Sequence, residues 1–194
     1  MLEHARANVP DVEFACGDAT ALPFEDESFE AVVAAFVLLH LAVPGNAVAE
    51  AARVLKPGGK AAFTVWDEPS RGRWLGVFFE SFAAAGGEPP PDVPAGPNFF
   101  ELADEGEFTT LLDEAGLRDV RVDRIEFDLE LVDGDELWNG LLQGSVRVRP
   151  MILGRTAEIQ PAIRRRYDEL IEPYRSAGGL AIPVSVRLAV GTKP

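Results

Sequence analysis

The sequence predicts an α/β protein whose doubly wound sheet is mostly parallel, with an antiparallel pair at one edge. Strand-like and helix-like segments alternate over the first third of the chain, and short connections join them. Such a strand–helix–strand succession gives a parallel pair with a right-handed crossover. Two later alternating segments have no crossover helix suited to parallel partners, which favours the antiparallel edge pair.

The N-terminal elements follow from the apolar pattern. A short helix is expected over residues 1–6 and a strand over 12–16. Residues 29–39 form an apolar run rich in valine and alanine, which predicts a strand covered on both faces. A helix over 44–55 follows, because apolar residues recur along one of its faces, and a strand over 60–66 comes after a Lys-Pro-Gly-Gly turn.

The remainder of the chain contains a connector, a helix, two strands and a helical segment. Five prolines within residues 88–97 exclude a helix and predict a surface connector. The next helix ends before Gly116, which sits where a left-handed C-cap belongs. Alternation over 120–131 predicts a strand, and a slip in its phase predicts a bulge or bend near Asp123. Residues 135–176 are mostly helical by composition, and a cleanly alternating strand closes the chain.

Composition narrows the classes of function. The chain has 18 basic and 32 acidic residues, a net charge of −14, which disfavours nonspecific binding to a phosphate backbone. The longest apolar run, residues 31–39, is far shorter than the ~20 residues of a membrane span. Cys16 is the single cysteine and cannot form an internal disulfide, which fits a reducing compartment. We expect a cytoplasmic protein without a signal peptide, with no nucleic-acid or membrane partner.

Five short motifs occur in a defined order and spacing. They are GDA at 17–19, LPF at 22–24, DESFE at 26–30, LHL at 39–41 and ARVLKPGG at 52–59. With these motifs the sequence resembles the class I S-adenosylmethionine-dependent methyltransferases, in particular the small-molecule branch that is similar to ubiquinone and menaquinone biosynthesis enzymes. The resemblance covers residues 1 to about 132. It implies a Rossmann-like fold, S-adenosyl-L-methionine as cofactor and a small-molecule methyl acceptor.

Three residues of the first motifs are candidates for the adenine end of this cofactor. Ligands of open parallel sheets bind beyond the carboxyl ends of the strands, and Asp18 is expected at that edge. The resemblance implies that its carboxylate accepts the adenine amino proton while the Ala19 amide faces a ring nitrogen. Leu22 and Cys16 would flank the adenine plane. The alternatives are a plain loop cap for Asp18 and ordinary apolar burial for Cys16.

The resemblance also marks candidates nearer the transfer point. Ala35 and Phe36 lie where the family places residues against the methionine part of the cofactor, although Phe36 could equally be a core residue. His40 is the plausible proton acceptor, but transfer from a sulfonium can rely on positioning alone, so a structural role is its alternative. Trp66 and Trp74 could line the acceptor pocket, with simple packing as their alternative. No metal is implied.

The sequence departs from the family at its start. The first strand, the glycine-rich turn and the second strand normally precede a segment like residues 1–6, so we expect an N-terminally truncated sheet with an unpaired apolar edge. Such an edge could pair with a second copy and give a homodimer. Two functions follow: methyl transfer to a small molecule, or a noncatalytic methyltransferase-like module for ligand binding or dimerisation.

We expect a single domain over residues 1–194. Its predicted parts are the cofactor-side core at 1–67, a connector, helix and edge strand at 68–134, an inserted helical cover over the acceptor at 135–183, and a last edge strand at 184–194.

Overall fold

The computed structural model describes residues 2–86, 98–145, 148–156 and 158–194. The predicted connector at 88–97 lies outside the described residues. The helices in these ranges are α1 (Leu2–Asn8), α2 (Pro44–Val54), α3 (Arg73–Ala84), α4 (Glu105–Glu114), α5 (Gly134–Gly144), α6 (Val148–Leu153) and α7 (Ile159–Ile171). The strands are β1 (Phe29–Ala35), β2 (Leu55–Trp66), β3 (Arg118–Leu131), β4 (Arg175–Ser176) and β5 (Gly179–Thr192).

The sheet has the order β1-β2-β5-β3, and the short β4 pairs with the start of β5. β1 and β2 are parallel and are joined through α2, as the strand–helix–strand pattern predicts. β5 is antiparallel to both β2 and β3, so β1, β2 and β3 all run in one direction. The predicted α/β class with a mostly parallel sheet and an antiparallel pair on one side is confirmed.

Two apolar layers cover the sheet, one on each face. Residues of α2 and α4 pack against Phe63 and Val65 of β2 and against Ala189 of β5. The other layer joins α3 to α5, α6 and α7, and it includes Leu180 and Ile182 from the start of β5. Because side chains alternate along a strand, the odd-numbered and even-numbered residues of β5 serve opposite layers.

The predicted strand at 12–16 is wrong. These residues form no strand, and Val12 and Cys16 are exposed. A strand needs a neighbour to accept and donate its backbone hydrogen bonds. No strand in the described ranges lies beside this segment, so its apolar composition alone does not make it a strand.

The strand predicted over 29–39 is confirmed for Phe29–Ala35, but the prediction that it is covered on both faces is wrong. β1 ends at Ala35, and Leu38–His40 form a 3₁₀ turn. Among the described strands only β2 pairs with β1, so β1 is an edge strand. Val32 and Ala34 pack against the α2 and α4 layer, whereas Val33 on the other face is 74% exposed.

The predicted turn before the second strand instead lies within β2. Phe29 pairs with Leu55 and Ala31 pairs with Lys60, so four residues of β2 bulge out between these two partners. Gly58 has a φ of +79°, a conformation that glycine adopts without strain. The bulge therefore uses the same glycine that the sequence placed in a turn.

The last strand was predicted at the edge, and this is wrong. β5 lies between β2 and β3, and it starts at Gly179, inside the segment expected to be a helical cover. Pro183 weakens the strand pattern near the start of β5, since proline is rare in interior strands. β2 pairs only with residues 186–192 of β5, so Pro183 lies beyond that ladder and is paired on the β3 side alone. The predicted helices within 135–176 are present as α5, α6 and α7.

The bulge predicted near Asp123 is absent from β3. Pairing with β5 is continuous from Arg121 to Leu131, and the irregularity lies between Arg118 and Arg121, where Asp119 has a φ of +52°. The apolar pattern changes phase because the covered face changes. Val122 packs against the α2 and α4 layer, whereas Leu129 packs against the opposite layer.

None of the helices within the described ranges is both long enough and apolar enough to cross a membrane.

Candidate functional site

The candidate site is a cleft where β1 and β2 end. Phe36 follows β1 directly, and its backbone N–H donates to the Thr64 carbonyl of β2 across 3.0 Å. Phe36 has a φ of +56°, in the left-handed region that bulky residues seldom enter. Non-glycine residues in such a conformation concentrate at functional sites, where the surrounding structure must hold them.

Aromatic contacts hold Phe36 in this conformation. Its ring stacks on Trp66 with a centroid distance of 4.0 Å and an interplanar angle of 26°. Trp66 in turn meets Trp74 of α3 at 4.8 Å and 65°. Aromatic pairs of this kind contribute about 0.5–1.5 kcal/mol beyond their buried area, which offsets part of the backbone cost of about 1–2 kcal/mol at Phe36.

These rings form part of the wall of a cleft of about 430 Å³. Ala35 and Thr64 line it as well, and the remaining lining residues are aliphatic or aromatic side chains of β3 and β5, among them Ile125, Phe127, Val184 and Val186. Ile125 is 44% exposed and Phe127 is 51% exposed, so the wall that they form is open to solvent. None of the described residues that line the cleft is charged.

Two polar atoms of cleft-lining residues are buried without a partner in the described part of the chain. They are the Thr64 hydroxyl oxygen and the Trp74 indole nitrogen Nε1. A buried polar group with no partner costs about 1–3 kcal/mol, so such groups call for an explanation. Thr64 and Trp74 both line the cleft.

The predicted adenine-end residues lie on a separate loop between α1 and β1. Asp18 Oδ1 accepts hydrogen bonds from the backbone N–H and the hydroxyl of Thr20, each at 2.8 Å. These two bonds lower the pKa of the exposed Asp18 carboxyl. Ala19 packs against the α2 and α4 layer, and Leu22 is half-buried. Asp18 thus caps its own turn, which was its alternative role, and its contact with a cofactor stays a prediction.

Glu50 and Arg53 of α2 hold this loop in place through hydrogen bonds. Neither residue was predicted as functional from the sequence. Glu50 Oε2 accepts the Leu22 backbone N–H at 2.7 Å, and Glu50 also pairs with Arg53 at 2.8 Å. Arg53 donates further to the carbonyls of Leu22 and Phe24 and to the carboxylate of Asp26. Hydrogen bonds from Arg53 and from the Leu22 amide lower the pKa of Glu50 to about 2. The ARVLKPGG motif contains Arg53, but spacing along the chain gives no sign of its partners.

The predicted residues fall into two groups. Ala35, Phe36, Trp66 and Trp74 come together in the cleft. His40 does not line it: the side chain is exposed in the 3₁₀ turn and meets Phe99 edge-on at 6.0 Å.

A buried ionic cluster lies at the end of β2, on the face opposite the cleft. Asp67 is fully buried and accepts hydrogen bonds from Ser185 at 2.7 Å, Arg124 at 2.6 Å and Arg187 at 3.1 Å. Burial alone would raise the pKa of Asp67, but its hydrogen bonds and the charge of Arg187 outweigh burial and lower it. The cluster fastens the end of β2 to β3 and β5.

Comparison with solved structures identifies the class of fold. The YcgJ protein of Bacillus subtilis superimposes with a TM-score of 0.58 at 18% identity, over 100% of this chain and 78% of that one. A SAM-dependent methyltransferase of Thermotoga maritima gives 0.54 at 20% identity, over 100% and 69%. The chain therefore has the Rossmann-like fold of class I methyltransferases.

Sequence comparison then shows which proteins the chain resembles. Residues 1–63 match the family described as methyltransferase domain. The demethylmenaquinone methyltransferase of Renibacterium salmoninarum is 44% identical over 80 residues, which are 41% of this chain and 34% of that protein. The one from Beutenbergia cavernae is 30% identical over 135 residues, 62% of this chain and 53% of that protein. The resemblance stated from the motifs is confirmed, and the chain spans about a third of the length of the first curated relatives that it matches.

Proposed function

We propose that this chain serves S-adenosylmethionine-dependent methyl transfer to a small-molecule acceptor. The observation that carries the proposal is the aromatic cleft at the ends of β1 and β2, which Ala35 and Phe36 line. These are the residues that the family resemblance places against the methionine part of the cofactor. The relatives named as demethylmenaquinone methyltransferases support an acceptor that is a small molecule.

The residues present fit parts of this cofactor. A carboxylate and a backbone amide, as at Asp18 and Ala19, suit the donor and acceptor edge of adenine. The stacked rings of Phe36 and Trp66 suit a sulfonium, because aromatic faces attract cations. We propose that Asp18, Ala19 and Leu22 hold the adenine end and that Ala35 and Phe36 hold the methionine end.

When bound, S-adenosylmethionine supplies an electrophilic methyl group on a good leaving group. The chain's own contribution is to position the acceptor. The backbone hydrogen bond between Phe36 and Thr64 holds the ends of β1 and β2 together, so that Phe36 and Trp66 line one cleft. His40 remains our candidate for taking a proton from an acceptor that must lose one, although it lies outside the cleft lining. The lone Cys16 supports a cytoplasmic location.

Calorimetric titration with S-adenosylhomocysteine tests this function. We expect saturable binding to the wild-type protein and a loss of about tenfold or more in affinity for Asp18→Ala, because a charge-assisted hydrogen bond is removed.

Thr20→Ala is the matched control for that variant. It removes the hydroxyl that bonds to Asp18 while leaving the carboxylate in place. An equal loss in both variants would reduce Asp18 to a turn cap, and the absence of binding by the wild-type chain would reject the proposed function.

A second candidate is the noncatalytic module that pairs with another copy of itself. The specific observation is the edge strand β1, whose Val33 side chain is 74% exposed. An exposed apolar edge offers unpaired backbone groups to another strand. We propose a homodimer through β1 as this alternative.

A further inference from the structure

We propose that Asp67 is a positioning residue for the cleft: it locks the end of β2, so that Trp66 stays stacked on Phe36. Where it concerns ligand affinity, the inference rests on the proposed function, because it takes Phe36 to hold the methionine end of the cofactor. Asp67 acts through Trp66 and takes no part in the chemistry itself.

The Asp67 cluster lies directly behind the wall of the cleft. Asp67, Ser185 and Arg124 are each next in the chain to residues that line the cleft. These neighbours are Trp66 beside Asp67, Val184 and Val186 beside Ser185, and Ile125 beside Arg124. Successive side chains of a strand point to opposite faces of the sheet. The cluster and the wall therefore share the same stretch of β2, β5 and β3, one on each face.

This stretch is where β2 ends. Trp66 is the last residue of β2 and pairs with Val186 of β5, which pairs in turn with Ile125 of β3. The ends of secondary-structure elements fray unless something ties them down. Asp67 supplies the tie, because its backbone N–H donates to the Ser185 carbonyl across 3.2 Å and its side chain binds both neighbouring strands.

The carboxylate of Asp67 is fully satisfied. Its Oδ1 accepts from the Glu68 backbone N–H at 2.9 Å and from Arg187 at 3.1 Å, and its Oδ2 accepts from Arg124 at 2.6 Å and from Ser185 at 2.7 Å. Charge-assisted hydrogen bonds are short and directional. Four such bonds on one fully buried side chain leave the end of β2 a single position relative to β3 and β5.

The position of Trp66 matters because Phe36 depends on it. The two rings stack at 4.0 Å, and this contact helps to hold Phe36 at its positive φ of +56°. If the end of β2 moved, Phe36 would lose this support and the wall at the methionine end would change shape. Small displacements of a binding wall have large effects on positioning.

Fluorine NMR of protein labelled with 5-fluorotryptophan tests the inference without any ligand. The chain has three tryptophans, and the Trp66 resonance is assigned by its loss in Trp66→Phe. We expect Ser185→Ala, which removes one donor to Asp67, to shift and broaden the Trp66 resonance, and Asp67→Asn to do so more strongly. Ser185→Ala carries the test even if Asp67→Asn does not fold.

Tyr167→Phe is the matched control. It also removes a buried hydroxyl that donates a hydrogen bond, here to the Gly134 carbonyl at 2.8 Å, but in the layer of α5 and α7. The Tyr167 ring lies 4.9 Å from that of Trp138, so this variant should move the Trp138 resonance and leave that of Trp66 in place. A merely structural loss of stability would not separate the two variants in this way.

Titration with S-adenosylhomocysteine completes the test. We expect Ser185→Ala to bind it about fivefold more weakly than wild-type protein, and Tyr167→Phe to bind it equally well. An unchanged Trp66 resonance in Ser185→Ala, an equal change in Tyr167→Phe, or a displaced Trp66 with unchanged affinity would overturn the inference. Absence of binding by wild-type protein, with the response of Trp66 intact, would instead reject the proposed function and leave the lock on Trp66 standing.

Discussion

Asp67 shows how a single residue can secure one side of the sheet. Its side chain is fully buried, and three partners on β3 and β5 hold its charge. A buried carboxylate is tolerated only when it is paired and hydrogen-bonded, and removing one member of such a cluster leaves the others uncompensated. Asp67 is therefore more important for stability than for the chemistry of the cleft.

We expect Asp67→Asn to lower the free energy of unfolding by about 3 kcal/mol at pH 7. Because folding lowers the pKa of Asp67, its contribution is complete above the unfolded-state value of about 4 and is lost as the pH falls through the folded-state value. Urea unfolding of both proteins at pH 7 and at lower pH measures this. The difference between them should shrink on acidification, and a constant difference would contradict the assignment.

The backbone conformation of Phe36 could not be predicted from its residue type. A phenylalanine near the end of a predicted strand can be a core residue or a ligand contact, and the sequence left both roles open. Its positive φ and its stacking on Trp66 depend on where β2 ends beside it. Only the packed structure could therefore reveal that conformation.

At the scale of elements, the loop at 18–26 depends on α2 more than on its own sequence. Glu50 holds the Leu22 amide, and Arg53 holds two carbonyls of the same loop. Leu22, one of the predicted adenine-end residues, therefore keeps its position through a helix that follows it in the chain, whereas Asp18 is held by its own turn.

We expect Glu50→Ala to loosen this loop without unfolding the protein. The Leu22 amide loses its acceptor, so its hydrogen exchange should accelerate by about tenfold or more. Amide exchange followed by NMR or mass spectrometry measures the change.

Lys56→Ala is the matched control, since it breaks the exposed ion pair between Lys56 of β2 and Glu30 of β1. Such pairs contribute less than about 1 kcal/mol, and exchange at Leu22 should not respond. If hydrogen exchange at Leu22 were unchanged in Glu50→Ala, the loop would be held by its own interactions and not by Glu50.

β3 was correctly predicted as a strand, but the change of phase in its apolar pattern was wrongly interpreted. Its apolar residues change phase at Asp123, and the simplest sequence explanation is a bulge. The strand is regular there, and what changes is the layer that covers it, from α2 and α4 near Val122 to the cleft at Ile125. Periodicity reports which face is covered, and that depends on elements distant in the chain.

At the scale of the whole molecule, the sheet has an open side at β1. The strand has a single described neighbour, and Val33 projects from the face opposite the α2 and α4 layer. The other side of the sheet ends in the pair formed by β5 and β3, which is fastened to β2 by the Asp67 cluster.

If β1 mediates a homodimer, Val33→Lys should weaken association, because a charged side chain on an edge strand discourages pairing. Sedimentation velocity over a range of protein concentrations measures this. Val132→Lys introduces the same charge at a site that is 76% exposed beyond β3, and it should leave association unchanged. A monomer at all concentrations, or equal effects of both variants, would reject the β1 interface.

The sequence by itself determined the α/β class, the strand–helix–strand unit through α2, the helices within 135–176 and the methyltransferase resemblance. These properties are local, since periodicity, caps and motif spacing depend on residues close together in the chain. The tertiary structure alone decided that residues 12–16 are not a strand, that β5 is interior, that Phe36 joins Trp66 and Trp74, and that Glu50 and Asp67 are anchors. The physical reason is that strand pairing, burial and ion pairing are properties of two partners, and here the partners lie far apart in the sequence.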